Sequence, residues 1–565
     1  IRDQPRSRGL GDVYKRQPLV LPVLLVFYGS LALAAPGSGE GQSGVSWVSV
    51  LPPVVAIVLA LITRQAHLSL FMGILIGVCI HTGGVWSGLT TSLDTYLVNS
   101  LAGSSSHTSI LMFTLAFGGL IGVMSANGGL KGIVAAASKY ATNNFRGQLV
   151  TAIMGLVIFI DDYSNTLLVG NMMRPFTDSV RISREKLSYL VDSTAAPVAS
   201  LAAISTWSIF QMSLLDSPYK AHGISANLYL TFLQSIPYSF YCIFTLVFVF
   251  ATVLMRREMG PMHKAETRSQ TTGAVLAENA QPMVDESLAR EFKESKLSHW
   301  SNGLIPILAV LVITIFGLFI TGIEGLESGS PKTLRNIIGS SDANASLIWG
   351  SFLAGFIAII MSVSGGLLSL IKAMEAWING VRSMVMACII LVLSWTIGDV
   401  CTDMKTAEYI VDLTSGFLTP ALLPAVTFIT ASIISFSTGS SWATMSILVP
   451  VTVPMSIQLL GGEGNQVVQD PIFLSTFAGV LSGSVFGDHC SPISDTTVLS
   501  STSTGSDHID HVRTQLPYAV ISGVVALLAG YIFTGLGITL IVSISVGLVL
   551  VTGVVKIFGK PILRE

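Results

Sequence analysis

Long runs of apolar residues recur along almost the whole chain, and they decide what it can fold into. Residues 240–255, FYCIFTLVFVFATVLM, carry no charge at all. About 20 such residues cross a bilayer as a helix, which satisfies its own backbone groups in lipid. Candidate spans fall near 46–63, 67–84, 108–126, 147–160, 187–213, 226–255, 302–323, 345–363, 382–398, 420–436, 441–459, 472–486, 515–535 and 537–557. That makes roughly 11 to 14 membrane segments, short or broken ones included. Charge agrees: residues 1–17 hold seven charged side chains and 256–300 hold fourteen, leaving 41 across the other 503. A single water-soluble core is excluded, as are disorder, collagen and coiled coil. Porin strands would need alternating ten-residue segments, which these runs are not. The expected class is an all-α polytopic membrane protein in a lipid bilayer. A net charge of −2 and the lack of any basic patch exclude nucleic acid as a partner.

Residues 1–17, IRDQPRSRGLGDVYKRQ, are basic and unlike the apolar run after them, so they are set aside as non-native adapter sequence. Residues 18–45 read as a signal peptide or a first transmembrane helix plus a polar Gly/Ser linker, with the signal peptide favoured. A first membrane half (46–255) and a second (301–565) flank one polar loop, 256–300. Arg256-Arg257 directly after a span places that loop on the cytoplasmic side by the positive-inside tendency. Its expected role is a flexible connector.

Polar motifs recur at matching places in the two halves. GGLIG (118–122) and SWTIG (394–398) each end an apolar run at a glycine, and forty residues later stand Asp162 in IDDYSNT and Thr438 in FSTGSSW. Both pairs share an offset of 276. DSTAAPVAS (192–200) and DHCSPISD (488–495) come next, at an offset of 296. Duplicated halves with helix-breaking polar motifs point to a secondary transporter, where broken helices meet at mid-membrane.

The motifs supply the groups an ion needs. Asp161 and Asp162 end an apolar span, and intramembrane acids are functional candidates. Ser164, Asn165 and Thr166 add neutral oxygens, which suit a hard cation. Around Pro197, Asp192 and Thr194 sit in a segment where a helix breaks. The second half packs Asp488, His489, Ser491, Ser494, Asp495, Thr496 and Thr497 around Pro492. Close carboxylates disfavour double ionisation, so one of them could trade a proton for a sodium ion. Ser437, Thr438, Ser440 and Ser441 surround Gly439 with hydroxyls and no acid. Asp399 and Asp403 are further candidates for a proton path. His508 and His511 resemble a metal pair, but no HExxH or paired-cysteine spacing accompanies them, and a cytoplasmic or interfacial face is the expectation. No phosphate-binding loop occurs, so neither ATP nor another cofactor is implied, and no enzymatic nucleophile–base pair is evident.

The segment FGDHCSPISDTTVLSSTSTGSDHIDHVRTQLPYA (486–519) resembles the NhaC-type Na+/H+ antiporters, as does IDDYSNTLLVGNMMRPFTDSVRISREKLSYLVDSTAAPVASLAAISTWSIF (160–210). The resemblance implies two inverted repeats, each with a re-entrant helical hairpin and an unwound transmembrane helix. It also implies a homodimer joined through a scaffold domain. Carried over, the first hairpin tip is Ser164-Asn165-Thr166 beside the unwound stretch Asp192 to Ser200. The second tip lies around Ser437 to Thr444, facing Asp488 to Thr497.

The expected function is secondary active antiport across the bacterial inner membrane, Na+ out against H+ in. Asp162 and Asp488 are the first choices for the shared carboxylates. Na+ would be held by Asp162, Ser164, Asn165, Asp488 and Ser491, with Thr166, Thr194, Ser440 and Ser441 as further ligands. The alternatives are a coupled exchanger of small organic anions or amino acids, and a passive channel.

Overall fold

A computed structural model describes residues 46–562, apart from 64, 283–298, 327–330, 415–417 and 462–463. The adapter and the signal-peptide or first-helix segment lie outside the described residues. The described chain is helical, with one two-residue strand pair.

In chain order, α1 (Leu51–Thr63) and α2 (Ala66–Thr82) precede the long α3 (Ser105–Ala126). A hairpin of α4 (Asn144–Val157) and α5 (Asp162–Ser179) is next. Then comes a repeatedly interrupted path, α6 (Arg184–Ser193), α7 (Ala196–Leu201) and α8 (Thr206–Ser213), and then α9 (Phe240–Met255). Strand β1 (Arg257–Glu258) leads into α10 (Gly260–Thr272). The second half holds α11 (Ser301–Glu324), α12 (Ala343–Ser364), α13 (Val385–Asp403) and a second hairpin, α14 (Leu423–Thr438) with α15 (Ser441–Leu459). A second interrupted pair is formed by α16 (Pro471–Cys490) and α17 (Asp495–Thr504). The chain closes with α18 (His508–Val525), α19 (Leu540–Phe558) and β2 (Lys560–Pro561), which pairs antiparallel with β1.

Eight described helices are long and apolar enough to cross a membrane, and two further pairs, each bent by 49°, raise this to ten. The 11 to 14 segments expected from sequence also counted α1, α2 and limbs such as α4 and α16, which are helices outside that set. Two environments separate. Val312 and Phe316 on α11 are each 64% exposed, as is Ile360 on α12, so these helices turn apolar sides outward, as lipid allows. By contrast, α15 and α16 are buried along nearly their whole length. The long helices α3, α11 and α12 pack together with helix 370–383, and the interrupted helices fill the interior beside them.

The polar segment after Arg256 is not a loose connector where it is described. Its α10 docks on α6 and α18. Arg268 Nη2 reaches both carboxylate oxygens of the buried Glu185, at 3.0 and 2.9 Å. Beneath it, Lys186 and Glu258 form a fully buried ion pair at 2.6 Å, and the Tyr518 hydroxyl also bonds Glu258. Local composition looks solvated, but these charges find partners across helices far apart in sequence.

Candidate functional site

Each interruption is built by short-range chemistry. Residues 158–161 cannot continue α4, and Asp161 caps α5 by accepting from Ser164 N at 3.0 Å. Ser440 caps α15 after Gly439 turns with φ 69°, a left-handed conformation that favours glycine. Ser494 restarts the chain as the cap of α17 after the break at Ser491–Ile493. Both hairpins touch the break that comes after them in the chain. A Cβ on Gly155 would collide with the Thr194 side chain, and one on Gly439 would lie 2.6 Å from Ile493 O. The two halves are therefore interrupted at corresponding places.

The first tip is stitched to the first break by Asn165. Its Nδ2 lies 2.7 Å from Gly155 O, 2.9 Å from Ile158 O and 3.0 Å from Thr194 O. The second tip is stitched to the second break by Ser491, whose hydroxyl donates to Phe436 O at 2.7 Å. Across the centre, Trp442 at the start of α15 packs on Phe210 and Trp207 of α8, with ring centroids 4.1 and 6.0 Å apart.

Asp162 stands out within this frame. It is 1% exposed, and neither carboxylate oxygen has a hydrogen-bond partner of good geometry, though the Trp207 indole and the Tyr163 amide lie near enough to act on it. Asn165 Oδ1, Thr166 Oγ1 and the indole N–H of Trp207 are likewise buried and unpartnered. Asp161 and Asp488 lie close enough for their charges to act on Asp162. Buried polar atoms are nearly always bonded, so a cluster of orphans is a place prepared for something else. Oxygens from a carboxylate, an amide and a hydroxyl match what a hard monovalent cation takes.

The other expected residues divide clearly. Asp161 is fully engaged by Ser164 and, at 3.0 Å, by Thr206, which makes it a helix cap. Asp488 is buried and accepts from Thr496 Oγ1 at 3.0 Å, while Thr496 also meets Ser494 at 2.9 Å. Thr194, Ser437, Thr438 and Ser441 donate their hydroxyls to backbone carbonyls. Such back-bonding is the usual fate of hydroxyls on apolar helices. Asp495 is exposed at the start of α17. Asp399 and Asp403 do not join the centre, and line a separate cavity of about 310 Å³ with His107 and Lys220.

A second buried cluster surrounds Asp192. Its carboxylate accepts from Gln515 Nε2 at 2.6 Å and from Thr497 and Ser500 at 3.2 Å each. His489 bonds Ser193 at 3.0 Å and Tyr241 at 2.6 Å. Thr497 belongs to the second-half motif, whereas Gln515, Ser500 and Tyr241 escape a reading by motif. The one available signal was Gln515 four residues after His511, on the same face of the helix. Arg184, also unnoticed in sequence, is buried and held by Asp178 at 2.6 and 2.7 Å and by the carbonyls of Thr504 and Gly505.

Comparison with known proteins converges on transport. The sequence profile of the Na+/H+ antiporter family matches residues 198–536. An uncharacterized protein of Haemophilus influenzae is 30% identical over 517 residues, spanning 90% of this chain and 95% of that protein. The arginine/ornithine antiporter ArcD of Halobacterium salinarum is 27% identical, over 42% of each chain. The malate-2H+/Na+-lactate antiporter of Bacillus subtilis is 31% identical, over 34% of this chain and 39% of its own. Among solved structures, the YdaH transporter of Alcanivorax borkumensis matches with a TM-score of 0.51 at 14% identity. That match covers 80% of this chain and 90% of that one, a likeness of fold alone.

Proposed function

This chain belongs to the Na+/H+ antiporter family, and we propose that it exchanges Na+ for H+ across the bacterial inner membrane through a single shared carboxylate, Asp162. The observation that carries the reading is the unpartnered pair of oxygens on a side chain only 1% exposed. An ionised carboxylate buried without a partner is expensive. Two occupants relieve it, a proton on the carboxyl or a sodium ion against the carboxylate. Each excludes the other, and that exclusion is antiport.

In this account Asn165 Oδ1 and Thr166 Oγ1 complete the sodium shell, and Asp488 adds a second negative charge nearby. Ser164 and Ser491 position the tips. The two broken segments, related as inverted repeats, let the tips rock while the long outer helices stay in place. The assembly is proposed to be a homodimer.

The test is flux in proteoliposomes holding the purified protein, with a pH-sensitive dye inside and the voltage clamped by potassium and valinomycin. Na+ should drive protons the opposite way, and K+ should not. The rival reading, an exchanger of small organic anions or amino acids, draws on the two named relatives. A substrate carboxylate would want a cation beside the breaks, and the buried Arg184 is already bound there. If Na+ alone moves no protons, malate, lactate and amino acids are tested as the missing partner.

A further inference from the structure

Hydrogen counting around Asp192 leads beyond the carboxylate pair, to a place where the transported proton waits. Both amide hydrogens of Gln515 are used, on Asp192 Oδ2 at 2.6 Å and on His489 O at 2.7 Å. Its Oε1 must therefore accept, and the group at 3.0 Å is His511 Nε2, which fixes a hydrogen on that nitrogen. Likewise, His508 Nε2 lies 2.7 Å from the Pro492 carbonyl, which can only accept. In both neutral rings Nδ1 then carries a lone pair. Those two lone pairs face one hydroxyl, Ser501 Oγ, at 3.0 Å from His508 and 2.9 Å from His511. One hydroxyl hydrogen cannot satisfy two acceptors, and the Thr497 carbonyl at 2.9 Å competes for it as well. The arrangement closes when the pair holds one extra proton.

We propose that His508 and His511, joined through Ser501, hold one transferable proton between the protein surface and Asp192. This rests on the antiport reading and adds the proton's route to it. The step balances. His508 Nδ1–H passes its proton to Ser501 Oγ as the Ser501 hydrogen moves to His511 Nδ1. The charge relocates from the outer ring to the inner one, and no bond other than these O–H and N–H bonds changes. His508 is partly exposed and His511 is fully buried, so the movement is inward. It brings a positive charge to His511, whose Nε2 is 3.8 Å from Asp192 Oδ2.

The groups facing the pair fit this role. Asp192 and Arg184 come from α6, the latter through the Gly505 carbonyl. From α16 comes His489, backed by Tyr241 of α9. Asp507 precedes His508 and is tied to Gln281 N at 2.8 Å, so the described end of the polar segment lies over the outer end of the pair. Glu258, bonded by Tyr518, belongs to a separate cluster further along α18.

The experiment is NMR of nitrogen-labelled histidine in the wild-type protein, observed through a pH titration without sodium. The rings of His508 and His511 should titrate as one coupled unit, and Ser501→Ala should separate them. Independent titration in the wild type would overturn the proposal. Ser501→Ala should also slow Na+-driven proton flux by about a hundredfold, the lower end of what a positioned proton carrier contributes, with the KM for Na+ unchanged. Unaltered flux would equally overturn it. Coupled titration without any Na+-driven flux in the wild type would remove the antiport reading and leave the proton pair standing.

Discussion

The side-chain amide of Asn165 lies 3.0 Å from the main-chain carbonyl of Thr194, binding the first hairpin tip to the break in the helix path beside it. The two hydrogens of that amide are shared among three carbonyls beside the interruptions, those of Gly155, Ile158 and Thr194. Asn165→Ala should cost about 2 kcal/mol of stability, since the orphaned carbonyls stay buried. It should also abolish exchange, because the tip loses its register. Thermal unfolding in detergent and proteoliposome flux read the two effects separately. Full activity in Asn165→Ala would remove the tip from the account.

Asp161 and Asp162 are neighbours with different work. Asp162→Asn removes the ionisable group and keeps an oxygen for the nearby Trp207 and Tyr163 N–H groups, so flux should vanish while the unfolding temperature holds. Asp161→Asn keeps a good cap and should retain exchange, whereas Asp161→Ala should lose about 1 kcal/mol. Equal loss of flux in both Asn variants would contradict the assignment.

Arg268 should matter although it lies in the polar segment. Arg268→Ala leaves Glu185 buried without its cation, at about 2 kcal/mol after allowance for the arginine's partial exposure. An unfolding temperature unchanged from wild type would show that the contact is idle.

A pH effect on stability is expected at Glu266, outside the spans. Burial pushes its carboxyl up to about 7 from 4.5, and the Glu258 charge adds to this, against the pull of Ser183 and Lys186. The folded state therefore holds a proton that the unfolded chain has lost. Stability from this group is complete below pH 4.5 and falls as pH rises to about 7, by on the order of 3 kcal/mol. Glu266→Gln should flatten that part of the curve in unfolding measured across pH. A wild-type curve already flat there would refute it.

Much of this was readable in the residues. The apolar runs located the spans, and Gly439, Pro197 and Pro492 marked where helices break. The offset of 296 is within one residue of the spacing between the helix ends Ser193 and Cys490, whereas the caps of the two tips, Asp161 and Ser440, lie 279 apart, three more than the 276 read from sequence. The role of each hydroxyl was not legible. Sequence offers Ser437, Thr438 and Ser441 as hydroxyl oxygens; that their hydrogens go to carbonyls of the helices they sit on or pack against is visible only in the fold. Sequence favours Asp162 over Asp161, but the capping role of Asp161 was not legible, because capping depends on where the helix starts. Arg268 resembled a solvated charge, since its partner Glu185 lies 83 residues away. His511 and Gln515 gained meaning only when α6 and α18 came together.

The most direct test of a shared carboxylate is proton release on sodium binding by the purified protein in weakly buffered detergent. The account predicts about one proton released for each Na+ bound, as when a ligand must be deprotonated to take a metal. Asp162→Asn should neither bind Na+ nor release a proton. Sodium binding with no proton release in the wild type, or undiminished release in Asp162→Asn, would contradict it.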